Sequence, residues 1–221
     1  MKQIRLASGI FTVGFWTLMS RIMGFVRDIL ISSYLGPGAM MDAFVVAFRL
    51  PNLFRRFFAE GAFNAAFVPM FSKKFEAGED AEGFASAALS WLSLVLLALT
   101  GLALVFMPAL VWATAEGFAG DARFDLATGF GRIVFPYIFF ISLAALFSGV
   151  LNATGRFAAA AAAPVLLNIM LSGAMLFAAY TGGNVARALV WAIPFAGIAQ
   201  LAMVYVATRR AGLRIVPRLP R

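Results

Sequence analysis

Residues Ser20 to Phe71 read SRIMGFVRDILISSYLGPGAMMDAFVVAFRLPNLFRRFFAEGAFNAAFVPMF, a run apolar enough to cross a membrane that nevertheless carries Arg21, Arg27, Asp28, Asp42, Arg49, Arg55, Arg56 and Glu60. When each position from Gly14 to Ser32 is turned by about 100°, the residues sort into two faces. Gly14, Thr17, Ser20, Arg21, Gly24, Arg27, Asp28, Ile31 and Ser32 fall within an arc of about 140°, and Phe15, Leu18, Ile22, Phe25, Val26, Ile29 and Leu30 take the other side. The pattern predicts a helix with one face for hydrocarbon and one for a polar interior.

The next helix repeats the device. Asp42, Arg49, Arg56 and Glu60 lie within about 40° of one another on an ideal helix, with Asn52 and Asn64 near the same face. Arg55 points well away, and Pro51 is expected to kink the helix. An ionised side chain near the bilayer centre costs at least ~2.5–3.5 kcal/mol, so such stripes face a bundle interior or a wet cavity. Two of them on consecutive helices predict one shared cavity. In it Arg21, Arg27, Arg49, Arg55 and Arg56 outnumber Asp28, Asp42 and Glu60, so the cavity is expected to bind an anion.

Composition agrees with a membrane protein. The chain has 221 residues, 62% hydrophobic and 13% charged, with a mean hydropathy of +0.90. That combination belongs to polytopic membrane proteins. The pI of about 10.8 does not signal nucleic acid, because the basic residues sit inside or at the ends of apolar segments rather than in one exposed cluster. Cysteine and histidine are both absent. This removes disulfides, thiol nucleophiles, imidazole acid–base pairs and sulfur- or imidazole-ligated metal sites. No cofactor or metal is called for. The N-terminal apolar stretch lacks a small-x-small site before Arg21 and is expected to be retained rather than cleaved as a signal peptide.

Spans of about 20 apolar residues cross a bilayer. The segments Ile10–Tyr34, Met41–Phe71, Phe84–Ala113, Gly129–Leu151, Ala158–Tyr180 and Ala188–Thr208 fit, predicting an all-α bundle of about six transmembrane helices over residues 1–208. Residues 209–221 form a basic tail. With the N-terminus inside, Lys2, Arg5, Lys73, Lys74, Arg156, Arg209, Arg210, Arg214, Arg218 and Arg221 are cytoplasmic, against Arg123 and Arg187 outside. That imbalance predicts that both ends are cytoplasmic. The third span, free of charge, reads as lipid-facing. Arg132 reads as a snorkelling residue near a membrane surface. The alanine-rich fifth span reads as a packing helix, and Gln200 in the sixth as a group bonding to a neighbouring helix. No internal repeat is visible.

SRIMGFVRD at Ser20–Asp28, the stretch from Met41 to Phe71, and FPYIFFISLAALFSGVLNATGRFAAAAAAPVLLN at Phe135–Asn168 closely resemble the MurJ (MviN) lipid II flippases of the MOP exporter superfamily. The resemblance runs through essentially the whole chain and implies a transporter, not an enzyme, of the bacterial inner membrane. Such proteins carry the undecaprenyl-diphosphate-linked peptidoglycan precursor from the cytoplasmic to the periplasmic leaflet by alternating access. By position, the family's cavity arginines correspond to Arg21, Arg27 and Arg55, with Asp28 and Asp42 as acidic partners that gate or orient them. The family has two lobes. This chain resembles the N-terminal one, its basic tail standing where the connection to the second lobe begins, so a C-terminal lobe is implied as a partner alongside lipid II and membrane lipids.

Three alternatives remain at the level of sequence. The charged stripes can be ion pairs that fix helix register, as Arg56 and Glu60 at i and i+4 suggest. The substrate can be another lipid-linked oligosaccharide or amphiphilic anion. A membrane-embedded polyprenyl-diphosphate phosphatase would also need arginines, but Glu60 is the sole candidate base and no histidine accompanies it.

Overall fold

The computed structural model describes residues 2–55 and 62–218, with side chains from Phe11 onward except that of Ala62. Arg56, Glu60 and Arg221 therefore lie outside the described residues, as do the side chains of Lys2 and Arg5. Among the described residues there are nine α-helices and no strand: α1 Lys2–Leu35, α2 Ala39–Arg55, α3 Ala62–Glu76, α4 Ala81–Val105, α5 Met107–Thr114, α6 Ala122–Val134, α7 Tyr137–Ala153, α8 Ala158–Tyr180 and α9 Val185–Arg210. The all-helical expectation holds.

Among the described residues, four stretches are long and apolar enough to cross a membrane by length and composition, where the sequence predicts about six: α4, the α6–α7 run Ala122–Ala153, α8 and α9. The charged helix α1 is not among them, although its 34 residues would reach ~50 Å at about 1.5 Å per residue. The expected second span is described as α2 and α3, of 17 and 15 residues.

Proline explains where two other expected spans differ. The stretch expected to be continuous from Phe84 to Ala113 divides at Phe106 into α4 and α5, with Pro108 in the first turn of α5. Pro108 has no N–H to offer the Leu104 carbonyl four residues back, and Arg132 Nε donates to that carbonyl at 3.3 Å instead. Arg132 thus closes a helix end, in keeping with its structural reading. Pro136 divides the fourth span into α6 and α7 in the same way.

Between α1 and α2, Gly36 and Gly38 adopt φ of 61° and 147°. L-residues with a Cβ avoid that region, so the Gly36-Pro37-Gly38 signal does turn the chain between the two helices.

Helix α7 occupies the middle of the bundle and carries no charge because nearly every side of it is covered. One core layer joins α3, α4 and α7 through Phe67, Phe71, Leu92, Leu96, Leu146 and Val150, and a second joins α8 and α9 to Tyr137 through Leu171, Met175, Leu189 and Ile193. Along α4, Leu89, Leu92, Leu96 and Ala103 are buried while Trp91, Leu94, Leu97 and Leu102 are exposed, as a helix with one face in lipid requires.

The segment after α9 does not leave the bundle. Leu213 and Ile215 are buried, and alternate backbone N–H groups of an extended stretch donate to one face of α4. Arg214 reaches Glu82 Oε2 at 3.1 Å, Val216 reaches Ser86 Oγ at 3.3 Å and Arg218 reaches Ser90 Oγ at 2.7 Å. Two extended residues advance about 6.6 Å and four helical residues about 6 Å, so each second donor meets the next turn. Ser86→Ala with Ser90→Ala is expected to speed amide exchange at Val216 and Arg218 by about fivefold or more, at ~1 kcal/mol per bond lost, with Arg214 less affected. Uniform exchange across the three amides in the variant would show that the serines do not hold the segment.

A cationic cavity between helices α1, α2 and α8

The polar faces of α1 and α2 meet at a cavity of about 920 Å³ whose lining includes Arg21, Arg27, Arg49 and Arg55 and, among the described residues, no carboxylate. Helices α7, α8 and α9 complete the wall with Tyr137, Asn168 and Gln200. Of the candidate residues, four arginines are brought together, Asp28 and Asp42 lie outside the lining, and Arg56 and Glu60 fall outside the described residues.

Arg55 corrects the helical-wheel reading, which turned it away from the cavity. On the wheel Arg49, Asn52 and Arg55 span about 120° with Asn52 in the middle. The face of α2 that meets the cavity is centred on Asn52, so a long side chain at either edge reaches the lining. Asn52 also receives Arg55 Nε at 3.4 Å.

The same rotation puts Asp42 at the edge, where it faces α6. Its Oδ2 accepts from Arg123 Nη1 at 3.3 Å, and Arg123 also bonds Asp121 at 2.7 Å and lies 4.6 Å over the Phe118 ring. Asp42 is therefore a tie between the start of α2 and the start of α6 rather than a partner of the cavity arginines. The Arg123 N–H and guanidinium hold the Asp121 carboxyl below its ordinary pKa. Nothing in the sequence pairs Asp42 with a residue 81 positions away.

Arg27 is held most firmly. Asp28 Oδ1 accepts from its Nε at 3.0 Å and its Nη2 at 2.7 Å, and Asn168 Oδ1 accepts from its Nη1 at 2.7 Å. Asn168 Nδ2 in turn donates to the Ser20 carbonyl at 3.0 Å. Arginine only donates and a carbonyl only accepts, so the amide bridges them in one orientation. A guanidinium has five N–H donors; with three committed, one on each Nη remains for a ligand. Arg21 and Arg49 make no hydrogen bond or ion pair among the described residues. Arg27's side chain is 19% exposed and Asp28's 63%, so the acid orients the guanidinium from outside while the cation faces in.

A second polar link sits deeper. Buried Gln200 donates from Nε2 to the Ala163 carbonyl at 2.7 Å and accepts from the Tyr137 hydroxyl at 3.1 Å. It ties α9 to α8 and α7, as the sequence reading of Gln200 expected. Asn168 extends what was expected of α8: the helix packs on α1 and α9 as its alanines suggest and also supplies a polar group to the cavity. A lone Asn in an apolar helix was the available signal.

Asn168 offers a test that removes no charge. Asn168→Ala is expected to weaken anion binding severalfold by freeing Arg27, at ~1–2 kcal/mol for a charged hydrogen bond. Asn168→Asp is expected to weaken it further, by setting a carboxylate against the guanidinium. Both are read by titrating the chain with a polyprenyl-diphosphate lipid. Tighter binding to the aspartate variant would contradict the orientation described here.

The arrangement is suited to hold and release an anion, since multidentate oxyanions such as a diphosphate match the paired donors of arginine.

A family model described as lipid II flippase MurJ matches residues 31–221. A probable lipid II flippase MurJ from Rhizobium tropici is 48% identical over 217 residues, covering 95% of this chain and 41% of that protein. The lipid II flippase MurJ of Burkholderia cenocepacia is 42% identical over 203 residues, covering 89% and 39%. Among solved structures, a lipid II flippase MurJ in an inward closed conformation superposes with a TM-score of 0.71 at 29% identity, covering 89% of this chain and 41% of that one. The chain thus spans about two fifths of the length of these relatives. With the family model matched along most of its length and the fold shared with a solved member, the chain belongs to the MurJ lipid II flippase family.

Proposed function

We propose that this chain is the N-terminal lobe of a lipid II flippase and holds the diphosphate headgroup of the undecaprenyl-linked precursor while it passes between leaflets. The observation that carries the reading is the set of four arginines around one cavity, with no carboxylate among the described residues of its lining. Register-fixing ion pairs would match each cation with an acid, whereas Arg21 and Arg49 have no such partner among the described residues. The prenyl chain stays in hydrocarbon and the polar head crosses the wet cavity, so transport needs no bond to be made or broken.

The protein is multi-pass, and its place is the bacterial inner membrane with both chain ends cytoplasmic. Packing supports that topology. The segment that follows α9 lies against the start of α4, on the side that carries Lys73, Lys74, Arg156, Arg209 and Arg210. The α8–α9 turn and the start of α6 carry only Arg187 and Arg123. A second lobe is the partner against which this one rocks, because alternating access requires two bundles. Arg21, Arg27, Arg49 and Arg55 bind the headgroup, and Asp28 orients Arg27.

The test is native mass spectrometry of the purified chain with lipid II, with another polyprenyl-diphosphate oligosaccharide, and with a neutral-headgroup prenyl lipid. Selective binding of lipid II, lost in Arg21→Ala/Arg27→Ala, is the expected result. Equal binding of both diphosphate lipids would point to a broader lipid-linked anion as substrate. Equal binding of the neutral lipid would remove the headgroup role.

A further inference from the structure

Outside the arginine cavity, the bundle has a second large concavity, of about 1120 Å³, bounded by α1 at Thr12, the α7–α8 turn and the last turns of α9. Its polarity is graded. Arg156 in the turn and Arg210 at the end of α9 stand at the membrane-surface end, and Ala159, Ala202 and Val206 form apolar wall between them and the membrane interior. Among the described residues, no acidic side chain lines it and neither guanidinium makes a hydrogen bond or ion pair. Helix α8 begins at this wall without a side-chain cap, adding the positive end of its dipole to the same place.

The geometry points to a site for one anionic glycerophospholipid, its phosphodiester between Arg156 and Arg210 and an acyl chain along the alanine wall. Charge complementarity and depth select this occupant. A soluble phosphate would have no use for the apolar wall, a zwitterionic lipid would bring its own cation against two arginines, and a protein helix would leave both guanidinia unmatched. The two arginines come from the ends of different elements, so the lipid bridges the α7–α8 turn to α9 and seals the gap beside α1. This site is separate from the headgroup cavity and does not depend on the transport reading.

The experiment is native mass spectrometry of the full 221-residue chain in detergent, titrated with dioleoylphosphatidylglycerol or dioleoylphosphatidylcholine. One phosphatidylglycerol is expected to bind roughly tenfold or more tightly than phosphatidylcholine, from two basic residues at headgroup depth. Arg156→Gln/Arg210→Gln should bring the two lipids level, whereas Arg214→Gln/Arg218→Gln, which removes as much charge from the same side without touching the groove, should keep the preference. Ala202→Phe fills the wall and keeps both charges, so it should also weaken the first phosphatidylglycerol, and it decides the matter if the double glutamine variant does not fold. Glycerophosphoglycerol, the headgroup alone, should not compete. The proposal is overturned by equal binding of the two lipids to the native chain, by retained preference in the groove variants, by an equal loss in the Arg214/Arg218 control, or by competition from the headgroup alone.

Discussion

Replacing Arg27 with alanine is expected to weaken binding of a polyprenyl-diphosphate lipid by about ten- to a hundredfold, the span of ~1.5–3 kcal/mol for hydrogen bonds to a charged group. The same change is expected to lower stability, because Arg27 also satisfies a buried amide. Its removal leaves Asn168 Oδ1, 2.7 Å from the lost Nη1, without that partner inside a residue only 5% exposed. An unmet buried acceptor costs about 1–3 kcal/mol. Asp28 loses its cation as well, but at 63% exposure water offsets most of that loss. Arg21→Ala separates the two effects, since Arg21 has no partner to strand among the described residues: binding should fall with little change in stability. Arg27→Lys keeps the charge and loses the planar fork that serves Asp28, Asn168 and a ligand together, so it should sit between native and alanine. The coupling of Arg27→Ala with Asn168→Ala should reach ~0.5–3 kcal/mol in the thermal stability cycle. If Arg27→Ala lost stability while lipid titration was unchanged, Arg27 would be a register-fixing residue and the cavity reading would fail.

How far these positions could be read beforehand depends on what physical force placed them. The stripe on α1 was legible because the cost of burying charge in hydrocarbon leaves one choice of face, and Arg21 and Arg27 do line the cavity. The bounds of α8 were legible to the residue, because punctuation at both ends is local: Gly155 and Gly182 take φ of 74° and 70°. Arg55 was not legible, because the rotation of α2 about its own axis is set by what it packs against, and a wheel centred on Asp42 and Arg49 turned Arg55 away from the cavity that it lines. Asp42 failed for the same reason, its partner coming from α6. The division of the third span at Phe106 was missed because Pro108 sits in a run that is apolar on both sides, and hydropathy does not register a missing N–H. The docking of residues 213–218 on α4 uses main-chain donors, which leave no mark in a pattern of side chains.

Gly197→Val is expected to be the most damaging single substitution outside the charged residues, costing about 3 kcal/mol or more. A Cβ at Gly197 would lie 2.8 Å from Tyr137 Cδ2, 3.3 Å from Cε2 and 3.1 Å from the Phe140 Cβ. Overpacking of this kind costs ~1–3 kcal/mol, and here the neighbour has little freedom to yield. Tyr137 is 2% exposed, and its hydroxyl donates to Gln200 at 3.1 Å, three residues along the same helix as the glycine. Moving the ring aside gives up that bond, about 1 kcal/mol more, and disturbs the Gln200 link to the Ala163 carbonyl. Gly131→Ala is the informative contrast. Its Cβ would come nearer still, 2.6 Å from Met107 Sδ, yet that neighbour is an unbranched thioether able to change rotamer. Thermal unfolding in detergent should therefore rank Gly197→Val well below Gly131→Ala, against the order of the two distances. Tyr137→Ala should partly rescue Gly197→Val by removing the obstructing ring. A loss at Gly131→Ala equal to or larger than that at Gly197→Val, or no rescue, would mean that the neighbour's freedom to yield does not set the cost and that the Tyr137–Gln200 link does not hold α7 against α9.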